Sequence, residues 1–223
     1  MHWLDVFGPP GVGKSTLCNP LWGHREVGWD GKLPPAHWEP FLDEVTNLFG
    51  LIRGHPSFVS AVRMNNRSVR KMATVARMHS PKAPYIQTGL VQRGLGFGWR
   101  LNQMGADMNL IRRFFELMPV SIGVAHLKAD IETIVARNHA RRSVAETAHE
   151  DRDFMVPLMQ EPIRIALEVM RERGIPIIEI DTAEPVDSAK HRLVAFADQE
   201  PFDAEASGPR CEVEILSPPP WWQ

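Results

Sequence analysis

Apolar positions along the chain follow two rhythms. Trp3, Leu4, Val6 and Phe7 form a short apolar run that predicts a buried strand over about His2 to Phe7. From His37 to Phe49, Trp38, Phe41, Leu42, Val45 and Phe49 recur at helical spacing. Val62, Val69, Met72, Ala73 and Ala76 do the same between Ser57 and Met78, and Ser80-Pro81 ends that helix. Pro84 to Gln87 reads as a short strand, and Gly94, Gly96 and Gly98 then read as a loose loop. Met104, Met108, Ile111, Phe115 and Met118 fall on one helical stripe, which we read as core. Val120 to Leu127 is a buried strand, and Asp130 can cap a helix through Ile131, Ile134 and Val135. Met159, Ile163, Ala166, Leu167 and Met170 mark a further helix ended by Gly174, with Pro162 at its start or in a kink. Ile175 to Ile180 is a strand, and a last helix runs through Val194 and Phe196. Arg25 to Trp29 reads as an additional short strand closed by Asp30-Gly31, and Pro20 predicts a helix end near Asn19.

Strands alternate with helices throughout. That pattern implies an α/β three-layer sandwich around a parallel sheet, expected to be five-stranded. The 223 residues suit one domain over 1–199. Residues 200–223 form an acidic, proline-rich tail that reads as irregular. No apolar run approaches the roughly 20 residues of a membrane helix. The chain enters its first strand at once, so no leader is expected. Cys18 and Cys211 make no metal motif and read as reduced thiols. Together these point to the cytoplasm, or to the host cytoplasm if the protein is viral.

A net charge of −2 hides an uneven distribution. Val45 to Ala106 contains no Asp or Glu. It does contain Arg53, Arg63, Arg67, Arg70, Lys71, Arg77, Lys82, Arg93 and Arg100. A solvated face normally mixes signs, so this stretch is expected to meet phosphates or a nucleic acid backbone.

The candidate chemistry sits at the end of the first strand. Gly8, Pro9, Pro10, Gly11, Val12, Gly13, Lys14 and Ser15, followed by Thr16, fit the phosphate-binding P-loop pattern. Its glycines let consecutive N–H groups turn toward an anion. Lys14 adds a point charge for the outer phosphates, and the Ser15 hydroxyl suits Mg²⁺. The helix that begins here aims its positive end at the same place.

With this loop, residues 1 to 197 resemble the small P-loop kinases of the thymidylate-kinase-like and nucleotide-kinase-like group. The resemblance implies the P-loop NTPase/kinase fold with a small lid over about 137–153. It implies ATP and Mg²⁺ as cofactors. Arg137-Asn138-His139-Ala140-Arg141-Arg142 resembles the arginine-bearing lid, so Arg137, Arg141 and Arg142 join Lys14 as candidate catalytic residues. Ile177 to Thr182 resembles the last strand and the loop that contacts adenine. Asp30 stands where the group often has an acid facing the acceptor, and is the candidate base for a hydroxyl acceptor, or simply a turn former before Gly31. Arg63, Arg67, Arg70, Lys71, Gln87 and Arg93 are the candidate acceptor-binding residues. Gln87 is a departure, because relatives carry an acid there that orients the metal through water.

The expected activity is transfer of the ATP γ-phosphoryl group to a nucleotide-type acceptor. The first expectation is the hydroxymethyl group of 5-hydroxymethyluracil in phage DNA, as in a bacteriophage branch of the group. A free nucleoside or nucleoside monophosphate is the alternative acceptor, and a nucleotide-binding switch without catalysis is the other alternative. A homodimer is left open.

Overall fold

The computed structural model describes residues 3–22, 30–77, 85–86, 89–120, 122–140 and 150–198. Strand β1 is Leu4–Phe7, and the P-loop leads from it into helix α1, Lys14–Trp22. The helix runs past Pro20, which removes only one i−4 hydrogen bond, so it does not stop near Asn19. A single 3₁₀ turn, Ala36–Trp38, opens α2, Glu39–Leu51. The basic segment is α3, Phe58–Val75, followed by β2, Tyr85–Ile86. Next come α4, Leu90–Gln103, a second 3₁₀ turn, Met108–Ile111, and α5, Arg112–Leu117. The chain then runs through β3, Gly123–Lys128, α6, Ile131–Ala140, α7, Glu150–Leu158, α8, Gln160–Glu172, β4, Ile177–Asp181, and α9, Val186–Ala197.

Among the described residues the sheet has four strands in the order β2-β1-β3-β4, all paired in parallel. Five were expected, and Arg25 to Trp29, the run read as the additional strand, lies outside the described residues. The central β1 pairs with β2 on one side and β3 on the other, so the direction of winding reverses beside it. A ligand crevice belongs at such a switch point, beyond the carboxyl ends of the strands. The P-loop opens there.

Strand alternation divides the interior into two cores. Leu4 and Val6 face Leu17, Ala125, Leu127, Ile134 and Leu193. Trp3 and Phe7 belong to the larger core built from α2, α3, α4, α5 and α8. Asp5 lies between Trp3 and Phe7 in the strand and so points to that larger core, where it is buried.

The three glycines expected in a loop are inside α4. A Cβ at Gly94 would sit 2.4 Å from the ring of Phe115, and one at Gly98 would sit 2.6 Å from Pro162. These glycines let α5 and α8 approach the α4 backbone, and that packing offsets the roughly 1 kcal/mol propensity cost of each. The methionine stripe is also divided. Gly105, at φ +69°, breaks the chain after α4, leaving Met104 exposed while Ile111, Phe115 and Met118 enter the core.

Candidate nucleotide and acceptor site

The loop after β1 has the backbone its glycines predict. Gly11 has φ +87° and Gly13 φ +104°, both in the region where side chains are strained. Gly11 also meets a neighbour, since a Cβ there would lie 2.4 Å from Oδ1 of Asn138 on α6. Asn138 is buried and donates from Nδ2 to the Pro10 carbonyl at 3.4 Å. Helix α4 holds the other end of the loop, where the Gly8 N–H donates to Oε1 of Gln92 at 3.3 Å. Lys14 folds over the loop, donating from Nζ to the carbonyls of Gly8 at 2.6 Å and Pro9 at 3.0 Å. Ser15 and Thr16 are exposed at the start of α1.

A cavity lies on each side of this loop. The first, of about 310 Å³, is lined by Gly13, Thr16, Leu17, Arg137, Thr182 and Val186, among others. Arg137 is fixed there, donating to the Thr182 hydroxyl at 2.8 Å and the Thr182 carbonyl at 2.9 Å, and to the Val12 carbonyl at 3.4 Å. Asp130 caps α6 as expected, accepting from the Thr133 N–H at 2.6 Å, and so sets the helix that delivers Arg137 and Asn138. The structure thus brings Arg137 and Thr182 together beside the P-loop. Arg141 and Arg142 lie outside the described residues.

The second cavity, of about 220 Å³, runs from Pro10 between α3 and α4 to Met155 of α7 and Met159 before α8. Asn65, Gln92, Arg93, Phe97, Trp99 and Arg100 contribute to its walls, and no carboxylate is among its described lining residues. Asn65, Gln92 and Asn138 are site residues that the sequence reading missed. A trace of Asn65 was present, because Ala61, Asn65, Ser68 and Met72 share one helical stripe and all are buried. A polar side chain on a buried stripe needs a partner. Gln92 and Asn138 left no such trace, since each acts on backbone far away in sequence.

Among the described residues the acid-free stretch does not form one cationic face, and Lys82 lies outside them. Arg77 pairs with Asp30 at 2.7 Å. Arg100 is buried, with its guanidinium 4.5 Å from the Trp99 ring centre and hydrogen bonds to the Ser57 hydroxyl and the Gly96 carbonyl. Burial and the nearby Arg93 charge push its pKa down to about 10. Arg93 points inward, where burial lowers its pKa and the Asp5 charge opposes that shift. Arg53, Arg63 and Arg67 are exposed, while Arg70 and Lys71 are half-buried. Helical geometry, not composition, divides these charges between interior and surface.

Asp30, read as a candidate base or as a turn former before Gly31, accepts from the Lys32 N–H at 3.0 Å and is engaged by α3. Arg77 donates to both of its carboxylate oxygens, and the Thr74 hydroxyl donates to Oδ1. The Arg77 hydrogen bond is the main reason its pKa is held down at about 2. The pair ties the segment before α2 to the end of α3. Gln87 lies outside the described residues.

His55 and His126 are both buried and engaged within the fold. His55 is bonded to Gln103 at 2.7 Å and to Ser57, and His126 stacks on Phe7 at 5.1 Å between ring centres. His24 lies outside the described residues. Among the described residues no group of three or more His, Cys, Asp or Glu could hold a metal ion. No helix among them is long and apolar enough to cross a membrane.

No family model matches the chain, and no curated protein matches it. Solved structures do. A deoxyadenosine kinase from M. mycoides with bound dATP superposes with a TM-score of 0.55 at 12% identity, over 86% of this chain and 97% of that one. The same enzyme with products dCMP and a flexible dCDP gives 0.50 at 13% identity, over 86% and 96%. The fold is that of a P-loop kinase. The likeness spans nearly the whole of the kinase chain, so it covers both faces of the sheet as well as the P-loop half.

Proposed function

We propose that this protein is an ATP-dependent phosphotransferase whose acceptor is a free nucleoside. The observation that carries the reading is the pair of cavities opening on opposite sides of one P-loop, at the switch point of the sheet. The first suits the donor. Arg137 and Thr182 flank it, and Leu17 and Val186 offer apolar surface for a base. The second suits the acceptor. It has aromatic walls in Phe97 and Trp99, polar groups in Asn65 and Arg93, and a mouth at Pro10 of the P-loop. The nucleoside-kinase fold of the neighbours supports the same division.

In-line phosphoryl transfer asks mainly for positioning and charge neutralisation. The N–H groups of Gly11, Gly13, Lys14 and Ser15 and the Lys14 ammonium hold the β- and γ-phosphates. Arg137 reaches the first cavity beside the P-loop, where it is the group to stabilise the transferring phosphoryl. The residues present fit Mg²⁺, because Ser15 offers an exposed hydroxyl and this ion completes its shell from phosphate oxygens and water. Bound with ATP, Mg²⁺ neutralises charge on the β- and γ-phosphates. Gln92 and Asn138 keep the loop open by engaging Gly8 and Pro10, leaving the remaining amides for the anion.

A hydroxymethyl group on a base within DNA is the second reading. Exposed Arg63 and Arg67, one helical turn apart on α3 beside Met64 at the cavity wall, favour it. The scattering of the other cations favours the free nucleoside. ADP release driven by a free deoxynucleoside, with no stimulation by duplex DNA bearing hydroxymethyluracil, supports the first reading. Stimulation by the modified duplex alone replaces it with the second.

A further inference from the structure

Among the described residues that line the acceptor cavity, Gln92 is the one whose side chain hydrogen-bonds the P-loop. The Gly8 N–H reaches its Oε1 at 3.3 Å. An N–H can only donate, so the carboxamide atom facing Gly8 is the oxygen, and the Nε2 group is turned away from that N–H. Nε2 makes no hydrogen bond among the described residues, and Gln92 is half-buried, at the cavity wall with Pro10. Its backbone is fixed, because the Val91 N–H beside it donates to Asp5 Oδ2 at 3.1 Å.

Gly8 extends this contact to the reactive end of the loop. Its own carbonyl accepts from Lys14 Nζ at 2.6 Å. The residue held by Gln92 thus holds the Lys14 ammonium in turn. Gly8 has φ +149°, and a Cβ there would lie 2.5 Å from the Leu127 carbonyl oxygen. Only glycine fits, and the setting of its two peptide planes decides both bonds. Two hydrogen bonds through one residue therefore lead from the acceptor cavity to Lys14.

We infer that Gln92 is a positioning residue that couples the acceptor site to the donor site. Its Nε2 donates to an oxygen at the hydroxyl-bearing end of the acceptor, the end that approaches the P-loop for transfer. Its Oε1 keeps the Gly8 N–H. An acceptor bound this way fixes the carboxamide, the carboxamide fixes Gly8, and the loop meets the donor with less freedom left to lose. Acceptor and donor then raise each other's affinity by the same factor. The inference rests on the second cavity being the acceptor site.

The test is a calorimetric titration of a non-hydrolysable ATP analogue with Mg²⁺, without and with each of the four common deoxynucleosides at saturation, and the reverse titration. In the wild-type protein the bound nucleoside is expected to raise analogue affinity about fivefold or more, with the same factor in reverse. Gln92→Leu removes both bonds. Gln92→Glu keeps an acceptor for the Gly8 N–H and removes only the Nε2 donor. In both variants the factor is expected to shrink to within about twofold. A side chain that only braces the fold would lower the separate affinities and leave that factor unchanged. A smaller wild-type factor would overturn the inference and leave the two-site kinase reading standing. So would a factor of wild-type size in a folded Gln92→Glu. If neither variant folds, the wild-type factor decides alone. No nucleoside bound, while the analogue still binds, would bring down the acceptor-site reading and this inference with it.

Discussion

The N–H of Val91 donates to Oδ2 of Asp5 at 3.1 Å, across 86 positions of sequence. This bond fastens the first turn of α4 to the central strand. Gly89, the residue before the helix, supplies no side-chain cap, and a Cβ there would lie 2.3 Å from the same carboxylate oxygen. Asp5 does the capping from another strand. Gln92 and Arg93, one residue and two residues further along, are thereby aimed at the P-loop and the acceptor cavity.

Burial raises the Asp5 pKa from 3.8 to about 7, against the helix N–H groups and the Arg93 and Lys71 charges that lower it. Between about pH 4 and 7 the folded protein holds a proton that the unfolded chain has released. Stability therefore falls as pH rises through that window and levels off above it, by on the order of a few kcal/mol. Asp5→Asn, of the same shape and without the charge, is expected to flatten this slope and to be the more stable protein at pH 8. Denaturant unfolding of both proteins at pH 5 and pH 8 measures it. An equal slope in the two would assign the pH dependence to other groups.

Arg137 makes three hydrogen bonds that span the P-loop and the turn after β4. Arg137→Met is expected to raise the KM for ATP about tenfold and to lower kcat by more, since transition-state arginines contribute about 10³–10⁵ in rate. Arg137→Lys is expected to restore little, because one ammonium cannot reproduce the planar fork. Full rescue by lysine would reduce Arg137 to a point charge.

Asp30→Asn separates anchoring from catalysis. The Arg77 pair is a surface contact, so its loss is expected to leave kcat within about twofold and to change stability little. A fall of a hundredfold or more in kcat, with KM unchanged, would return Asp30 to the role of base.

Gly94→Ala removes no functional group. Its Cβ would meet the Phe114 and Phe115 rings at 2.7 and 2.4 Å. Overpacking of this kind costs about 1–3 kcal/mol. Against it stands the roughly 1 kcal/mol that alanine gains in helix propensity. A net loss of melting temperature is expected. A gain would show that α5 can move away from α4 at no cost.

The P-loop was legible because its residues act on their own backbone, within eight positions. The helical and strand runs around it were legible for the same reason, as was the Asp130 cap, which reaches only to Thr133. Helix α4 was not legible. Its glycines carry the loop signal locally, and only the rings of α5 and the proline of α8 turn that signal into close packing. The capping role of Asp5 was not legible either. Its partner lies 86 residues away, and a single sequence does not display such pairings. Charge counting gave a basic surface where the structure divides the described cations among an ion pair, a buried ring contact, a cavity wall and exposed or half-buried helix and turn positions. Composition records charge but not direction.

The central claim is that one P-loop serves a donor on one side and a free nucleoside on the other. Transfer of label from γ-labelled ATP with Mg²⁺ to a panel of free deoxynucleosides, mononucleotides, plain duplex DNA and hydroxymethyluracil-bearing duplex DNA tests it most directly, with Lys14→Ala alongside. The account predicts label on one or more free deoxynucleosides and none in the Lys14→Ala reaction. Label confined to DNA, or passed only to water, would contradict it.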